Sequence, residues 1–274
     1  MKKFIAPAGM SFLFIISQLI AVSIAQPFKK AGFEAFENPE NPMNIVQIFA
    51  VIIVFTLLIL VIAKYKEEMV KYIILFSFFL ASLSIFQAFF YFIESSFSLL
   101  FSLIVSITML LLLIKHPEWY VIDFFGVFLT GGISAIFAIS LSIEMIILFL
   151  IVLAVYDAIA VYKTRHMVKL AKTIADSNLP LLMIVPKKAS YSYIKSKIGG
   201  DRDAVYVGLG DLIIPGILIT ASYLEHGMNG FAFTLAGALA GYFLLMRLIE
   251  KGPQPGLPYL NGGAIIAYAI LQFL

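Results

Sequence analysis

The sequence predicts an all-α polytopic membrane protein with nine transmembrane helices, and two observations lead to this fold class. The 274-residue chain is 62% apolar and only 13% charged, whereas soluble domains average about 45–50% apolar and about 25% charged residues. Its apolar residues also gather into runs of about 20, the length that a helix needs to cross a bilayer core. A soluble globular fold, a disordered chain and a disulfide scaffold are thereby excluded, and the chain has no cysteine.

Nine runs have this length, and each is predicted to be a helix because backbone groups in lipid must bond within their own segment. Their approximate bounds are 4–25, 44–63, 72–93, 97–114, 121–141, 143–162, 204–224, 231–249 and 256–274. The first run also fits a secretory signal, with Lys2 and Lys3 before it and a cleavage site at residues 23–25. We expect the first helix to be retained rather than cleaved, because the distribution of basic residues described next agrees with a chain that keeps it.

The basic residues predict the orientation of the chain. With the N-terminus in the cytoplasm, 17 of the 19 lysine and arginine residues fall on the cytoplasmic side, and only Lys29 and Lys30 fall outside. The C-terminus is then extracytoplasmic. We predict one multi-pass domain of the cell membrane, with helices one to six in 1–162, a basic cytoplasmic loop in 163–203 and helices seven to nine in 204–274. The loop is charged as expected for a solvated segment near anionic lipid.

Two acidic residues lie within predicted spans with apolar sequence on both sides, namely Asp157 and Asp211. A carboxylate at the membrane centre costs about 2.5–3.5 kcal/mol on insertion scales, so both are candidates for a functional role. The helical rise places Asp157 roughly 9 Å and Asp211 roughly 13 Å below the inner surface, which is a similar depth. Asp123, two residues into the fifth span, is predicted to lie near the inner interface.

Two neighbouring carboxylates in a medium of low dielectric cannot both be ionised, so we expect the pair to share a proton. Peptide hydrolysis can use such a pair. The ionised acid takes a proton from water, and the protonated acid donates to the scissile carbonyl. The two acids alone leave a protease and a secondary transporter with a proton or cation site equally open, beside a purely structural polar pair.

Three motifs resemble the presenilin and signal peptide peptidase family of intramembrane aspartyl proteases. They are Tyr156-Asp157, then Gly-Leu-Gly-Asp at 208–211, then Pro-Gly-Leu-Pro at 255–258. They follow the family's order of a YD pair, a GxGD motif and a PAL motif on helices six, seven and nine. Gly256 departs from the pattern, since the family usually has alanine there. The resemblance implies a presenilin-like fold and an aspartic endopeptidase that cleaves transmembrane segments, and the charge distribution favours the presenilin-like orientation.

The resemblance also implies roles for individual residues. Asp157 and Asp211 would be the catalytic pair, and the residues that would shape the site are Tyr156, Gly208, Leu209, Gly210, Pro255, Gly256, Leu257 and Pro258. Glycines at 208 and 210 would let another backbone approach the acid, with ordinary helix packing as the alternative. No metal or other cofactor is expected. The expected partners are transmembrane-helix substrates and the lipid bilayer, with no nucleic acid; oligomerisation is compatible with the sequence but is not predicted by it.

Three further segments carry predictions. The apolar residues 181–185 are too few to span a membrane and are predicted to form a strand or an interfacial segment. We hypothesise that this segment, or the one before Pro255, pairs with an unwound substrate as an added strand. Gly237 and Gly241 form a GxxxG pattern, which predicts helix packing. Asn261 is a polar residue in the last span, and we expect it to support the loop that precedes it.

Overall fold

The computed structural model describes residues 2–91, 93, 95–164, 181–188, 191–195, 204–249 and 252–273. Most of the predicted 163–203 loop therefore lies outside the described residues. Within the described ranges the chain forms eight α-helices and one two-stranded sheet. The elements are α1 (Lys2–Lys30), α2 (Met43–Tyr65), α3 (Glu67–Tyr91), α4 (Ser98–Lys115), α5 (Trp119–Ser140), α6 (Ile143–Ile159), β1 (Leu182–Pro186), β2 (Ala204–Gly208), α7 (Leu209–Ile249) and α8 (Leu257–Leu271).

Six of these helices are long and apolar enough to cross a membrane, counted over the described part of the chain. They are α1, α3, α4, α5, α6 and α7, while α2 and α8 contain shorter apolar stretches. The 41-residue helix α7 bends at Gly227, whose φ is +62°. A residue without a side chain adopts this left-handed conformation readily. The bend divides α7 into a first arm, 209–226, and a second arm, 228–249, and it falls between the seventh and eighth predicted spans.

Helix α5 lies in the middle of the bundle and packs against α1 and α7. Glycines allow the close approach. A side chain on Gly131 would meet the Ser17 carbonyl oxygen of α1 at 2.7 Å, and one on Gly216 of α7 would meet the Ser134 hydroxyl of α5 at 2.6 Å. Another face of α5 packs against α3 and α4. Helix α2 instead exposes most of its apolar side chains, as a helix facing lipid does.

The predicted seventh helix, 204–224, is wrong at its start. Residues 204–208 form β2, which pairs antiparallel with β1 and places Met183 opposite Val207. The helix begins only at Leu209, so that Asp211 lies in its first turn and a depth calculated from helical rise does not apply. The alternating valines of this segment favour a strand, and β1 supplies the backbone partners that a strand in an apolar environment requires.

Of the two predictions for 181–185, a strand or an interfacial segment, the structure has the strand, since β1 covers most of this segment. Its residues are buried on both faces, because Met183 and Ile184 each have no exposed surface. However, β1 does not offer the open edge that we hypothesised. One edge pairs with β2, and on the other the Ile184 N–H donates to a carboxylate oxygen of Asp123 at 2.8 Å.

The predicted packing at Gly237 and Gly241 is present in the second arm of α7, which lies against α8. A side chain on Gly237 would overlap the carbonyl oxygen of Gly263, and one on Gly263 would overlap the carbonyl oxygen of Gly237. Gly241 is similarly close to the carbonyl oxygen of Tyr259. The pattern therefore brings two helix backbones into direct contact beside the start of α8.

We expect Gly263→Ala to destabilise the protein, because its Cβ would force the two helices apart at a cost of about 1–3 kcal/mol. Gly262→Ala is the matched control, since a Cβ on Gly262 meets nothing within 4 Å. Thermal unfolding in detergent should show a lower Tm for Gly263→Ala and an unchanged or slightly higher Tm for Gly262→Ala. Equal Tm values for the two variants would contradict the close packing.

Candidate active site

Asp157 lies in the last turn of α6 and its side chain is buried. Its Oδ2 accepts a hydrogen bond from the Leu257 N–H at 3.0 Å. Leu257 is the first residue of α8, and its N-cap, Gly256, has no side chain with which to cap the helix. The first N–H groups of a helix have no partner within that helix. Asp157 therefore caps α8 from the neighbouring helix, and this bond orients its carboxylate.

Asp211 lies in the first turn of α7 and is half-buried. Glycines flank its carboxylate on two sides. A Cβ on Gly208 would lie 3.3 Å from the Asp211 Oδ2, and a Cβ on Gly256 would lie 3.3 Å from both its Oδ2 and its Cγ. At both positions a Cβ would be closer to the carboxylate than most Cβ atoms are to their neighbours. At Gly208 the neighbour is the Asp211 carboxylate rather than another backbone, and at Gly210 a side chain would meet nothing within 4 Å.

The two acids converge on one short segment. Leu257 bonds to Asp157, and the adjacent residue, Gly256, borders Asp211. Since consecutive residues are about 3.8 Å apart between Cα atoms, the two carboxylates lie in the same small region, within electrostatic reach of each other. The tertiary structure therefore brings together the three motifs that the sequence places on separate helices.

The remaining predicted site residues are distributed around this point. Pro255 is buried, and Pro258 lies in the first turn of α8, where its missing N–H leaves one fewer unpaired donor. Leu209 is buried and packs towards Gly126 of α5, whose Cβ would lie 3.2 Å from its Cδ2. Tyr156, in contrast, is 61% exposed. Adjacent positions on a helix point about 100° apart, which accounts for an exposed Tyr156 beside a buried Asp157.

Sequence reasoning missed a second link between α6 and the segment before α8. After Asp157 the chain continues as a π-helical turn, Ala160–Thr164, a feature often found at functional sites. In it, the Tyr162 hydroxyl donates to Oε1 of Gln254 at 2.7 Å, and the Tyr259 hydroxyl approaches the same atom at 3.3 Å. No sequence signal separates Tyr162 from an ordinary interfacial aromatic residue.

Asn261 makes a different contact from the one predicted. Its side-chain amide donates to the Leu150 carbonyl oxygen of α6 at 3.0 Å, and the residue is fully buried. It therefore joins α8 to α6 about one turn beyond Leu257, rather than supporting the preceding loop. This second tie between the two helices holds the start of α8 beside Asp157.

Asp123, predicted to lie near the inner interface, is enclosed by the protein. It is only 5% exposed, and it accepts the Ile184 N–H of β1. The sequence contains no sign of this, because the bonding partner lies 61 residues away. Its burial does not bring it into contact with the acid pair, which lies on α6 and α7.

Two carboxylates from different helices of this bundle converge at the start of a third helix, an arrangement that fits an intramembrane aspartyl protease. The comparisons agree with this class. The family model described as "Signal-peptide peptidase, presenilin aspartyl protease" matches residues 11–274. The chain belongs to this family of intramembrane aspartyl proteases.

Two solved structures resemble the chain over nearly its whole length. One is described as "Structure of a presenilin family intramembrane aspartate protease in P2 space group", with 31% identity and a TM-score of 0.71. The other carries the same description in the C222 space group, with 29% identity and a TM-score of 0.70. In both cases the match covers 96% of this chain and 95% of the other. No match was found among curated proteins.

Proposed function

We propose that Asp157 and Asp211 are the catalytic dyad of this intramembrane protease. The observation that carries the proposal is their convergence on Gly256 and Leu257, where Asp157 accepts the Leu257 N–H and the Asp211 carboxylate borders Gly256. Gly208 and Gly256 leave space around the Asp211 carboxylate, and the Leu257 N–H orients the Asp157 carboxylate. Together these contacts support two oriented carboxylates in one small region, as acid–base catalysis by a pair requires.

The proposed reaction begins with one proton shared by the two acids. The ionised carboxylate takes a proton from water, and the resulting hydroxide bonds to the scissile carbonyl carbon. The protonated acid donates its proton to the carbonyl oxygen, which gives a neutral gem-diol. The C–N bond then breaks as the first acid donates its proton to the amide nitrogen and the second recovers one from the diol. Water is consumed, and a new carboxyl and a new amino terminus form.

A substrate helix must unwind before its peptide bonds reach the acids. We propose that the unwound segment pairs with the second edge of β2. The hydrogen bonds of Val205 and Val207 face β1, so the second edge of β2 is the one that faces away from β1. Strand addition of this kind is a common mode of peptide recognition. It would deliver the substrate backbone directly to Asp211, three residues beyond the end of β2.

We further propose nine membrane spans, a cytoplasmic N-terminus and an extracytoplasmic C-terminus in the cell membrane. The 17 basic residues that this arrangement places inside support it. The division into 1–162, 163–203 and 204–274 follows from the same arrangement. Substrates would be single-span proteins with their N-terminus outside, cleaved near the inner leaflet. The alternative of a secondary transporter receives no support from the comparisons.

Purified protein incubated with a set of single-span substrates should cut them within their transmembrane segments. A hydroxyl-containing mimic of the aspartyl protease transition state should bind and stop the reaction, because such mimics bind more tightly than substrates do. Mass spectrometry of the products gives the cut sites, and a chelator should leave the rate unchanged. A protein that neither cuts any substrate nor binds the mimic would contradict the proposal and favour the transporter.

A further inference from the structure

A further buried acid, Asp123, takes no part in the dyad, yet it contacts the sheet that leads to it. Its Oδ1 accepts the Ile184 N–H at 2.8 Å. One turn further along α5, Gly126 is bordered by the side chains of Met183 in β1 and Leu209 at the start of α7. One face of α5 therefore touches both β1 and the helix that carries Asp211.

The direction of the Ile184 N–H follows from the strand register. Leu209 donates to the Leu181 carbonyl oxygen at 3.0 Å, so the odd-numbered residues of β1 bond towards β2. In an antiparallel pair the next residue faces the other way, and Ile184 accordingly directs its N–H away from β2. Pro186 has no N–H to offer. Asp123 and Pro186 thus close the outer edge of β1, as charged side chains and proline do at sheet edges.

A second carboxylate holds the chain that follows β1. Glu118, immediately before α5, accepts the Tyr193 N–H at 2.9 Å and the Ser192 hydroxyl at 2.6 Å. Two acids near the beginning of α5 therefore receive backbone N–H groups from this segment. The sheet cannot shift along α5 without breaking these bonds, and β2 is paired to β1 across its full length.

We propose that Asp123 is a positioning residue, whose hydrogen bond to Ile184 fixes the sheet against α5 and thereby sets the place of Asp211 and the register of the bound substrate. This inference rests on the proposed function. The chain of contacts runs from Asp123 to Ile184, through the paired strands to Gly208, and on to Asp211. A displacement of about 1 Å in a catalytic group can cost about 100-fold in rate.

Two replacements at this position separate the hydrogen bond from the charge. Asp123→Asn retains an oxygen that can accept the Ile184 N–H, whereas Asp123→Leu has a similar size and accepts nothing. The leucine has room, because Asp123 borders a groove of about 560 Å³ that is also lined by Gly9, Phe12, Trp119 and Phe124. Thr130→Val is the control, since it replaces another buried polar side chain of α5, whose hydroxyl has no hydrogen-bond partner among the described residues, and it lies outside this chain of contacts.

The experiment measures kcat, KM and the cut sites on one single-span substrate. For Asp123→Leu we expect a loss in kcat of about 100-fold, with new cut sites one or more residues away. Asp123→Asn should retain the wild-type cut sites and most of the rate, and Thr130→Val should match the wild type. Wild-type kcat and cut sites in Asp123→Leu, or an Asp123→Asn variant as impaired as the leucine variant, would overturn the proposal.

Hydrogen exchange keeps this test separate from the proposed activity. The peptide covering residues 181–188 should exchange faster in Asp123→Leu than in Asp123→Asn or the wild type. This measurement needs no substrate, so it reports on the sheet even if the wild-type protein were to cleave nothing. Equal exchange in all three proteins would overturn the positioning role. A wild type that exchanges as expected but cleaves no substrate would contradict the proposed function alone.

If Asp123→Leu does not fold, Asp123→Asn carries the test. Faster exchange or shifted cut sites in Asp123→Asn would overturn the proposal that the hydrogen bond to Ile184 positions the sheet.

Discussion

Replacement of either Asp157 or Asp211 by alanine should abolish cleavage of a transmembrane substrate. We expect a fall in kcat of about 10⁴-fold or more, the scale observed when one member of a catalytic unit is removed. The ionised acid accepts a proton from water and the protonated acid donates one to the carbonyl oxygen, so neither acid can replace the other. A variant with an unchanged rate would refute the assignment of that residue to the dyad.

Asp157→Asn tests the same assignment without disturbing the fold. The asparagine Oδ1 can still accept the Leu257 N–H, which the Asp157 carboxylate receives at 3.0 Å, so α8 keeps its cap. Activity should nevertheless be lost, because an amide does not exchange a proton with water in this role. Glu144→Gln is the control, since Glu144 lies in the first turn of the same helix, at its other end. The control should retain wild-type activity, and both variants should retain the wild-type Tm.

The second large effect is expected at Gly256, where the chain departs from the family's usual alanine. Its backbone angles, φ −77° and ψ −49°, are open to any residue, so a substitution acts through its side chain alone. An alanine Cβ would lie 3.3 Å from the Asp211 Cγ, a contact that a small movement relieves. We expect Gly256→Ala to remain active. Gly256→Val adds two methyl groups beyond the alanine Cβ and should displace the carboxylate, with a loss in kcat/KM of about 100-fold.

Gly262→Val provides the comparison for this series. Gly262 is on the same helix, and a Cβ there meets nothing within 4 Å, so activity should persist. Measurements of kcat/KM and Tm on all three variants separate crowding at Asp211 from a general loss of stability. A Gly256→Val variant as active as the wild type would show that the space beside Asp211 is not needed.

Part of the site could be predicted from the sequence because its signals are local. A carboxylate surrounded by apolar residues is conspicuous wherever it occurs, and this property alone selects Asp157 and Asp211. The Gly237 and Gly241 spacing likewise predicts helix contact, and the contact with Gly263 is present. These patterns depend on composition and helical period, which a single segment carries by itself.

Other features depend on partners distant in the chain. The sequence predicts that residues 204–208 begin a helix, and only their pairing with β1 identifies them as a strand. The sequence around Asp123 predicts only a position near the interface, and it does not indicate the hydrogen bond from Ile184, which is 61 residues away. The resemblance placed Tyr156 and Gly210 among the residues that shape the site, yet one is exposed and the other has open space beside it.

By itself, the sequence determined that this protein is a membrane bundle with two acids in its apolar spans, because lipid forces nearly every charge into a loop or an edge and makes the exceptions visible. Only the tertiary structure decided that Gly256 and Leu257 join those acids and that Asp123 anchors the sheet beside them. Hydrogen bonds such as Leu257 to Asp157 join residues that are close only after folding, and no periodicity along the chain encodes them.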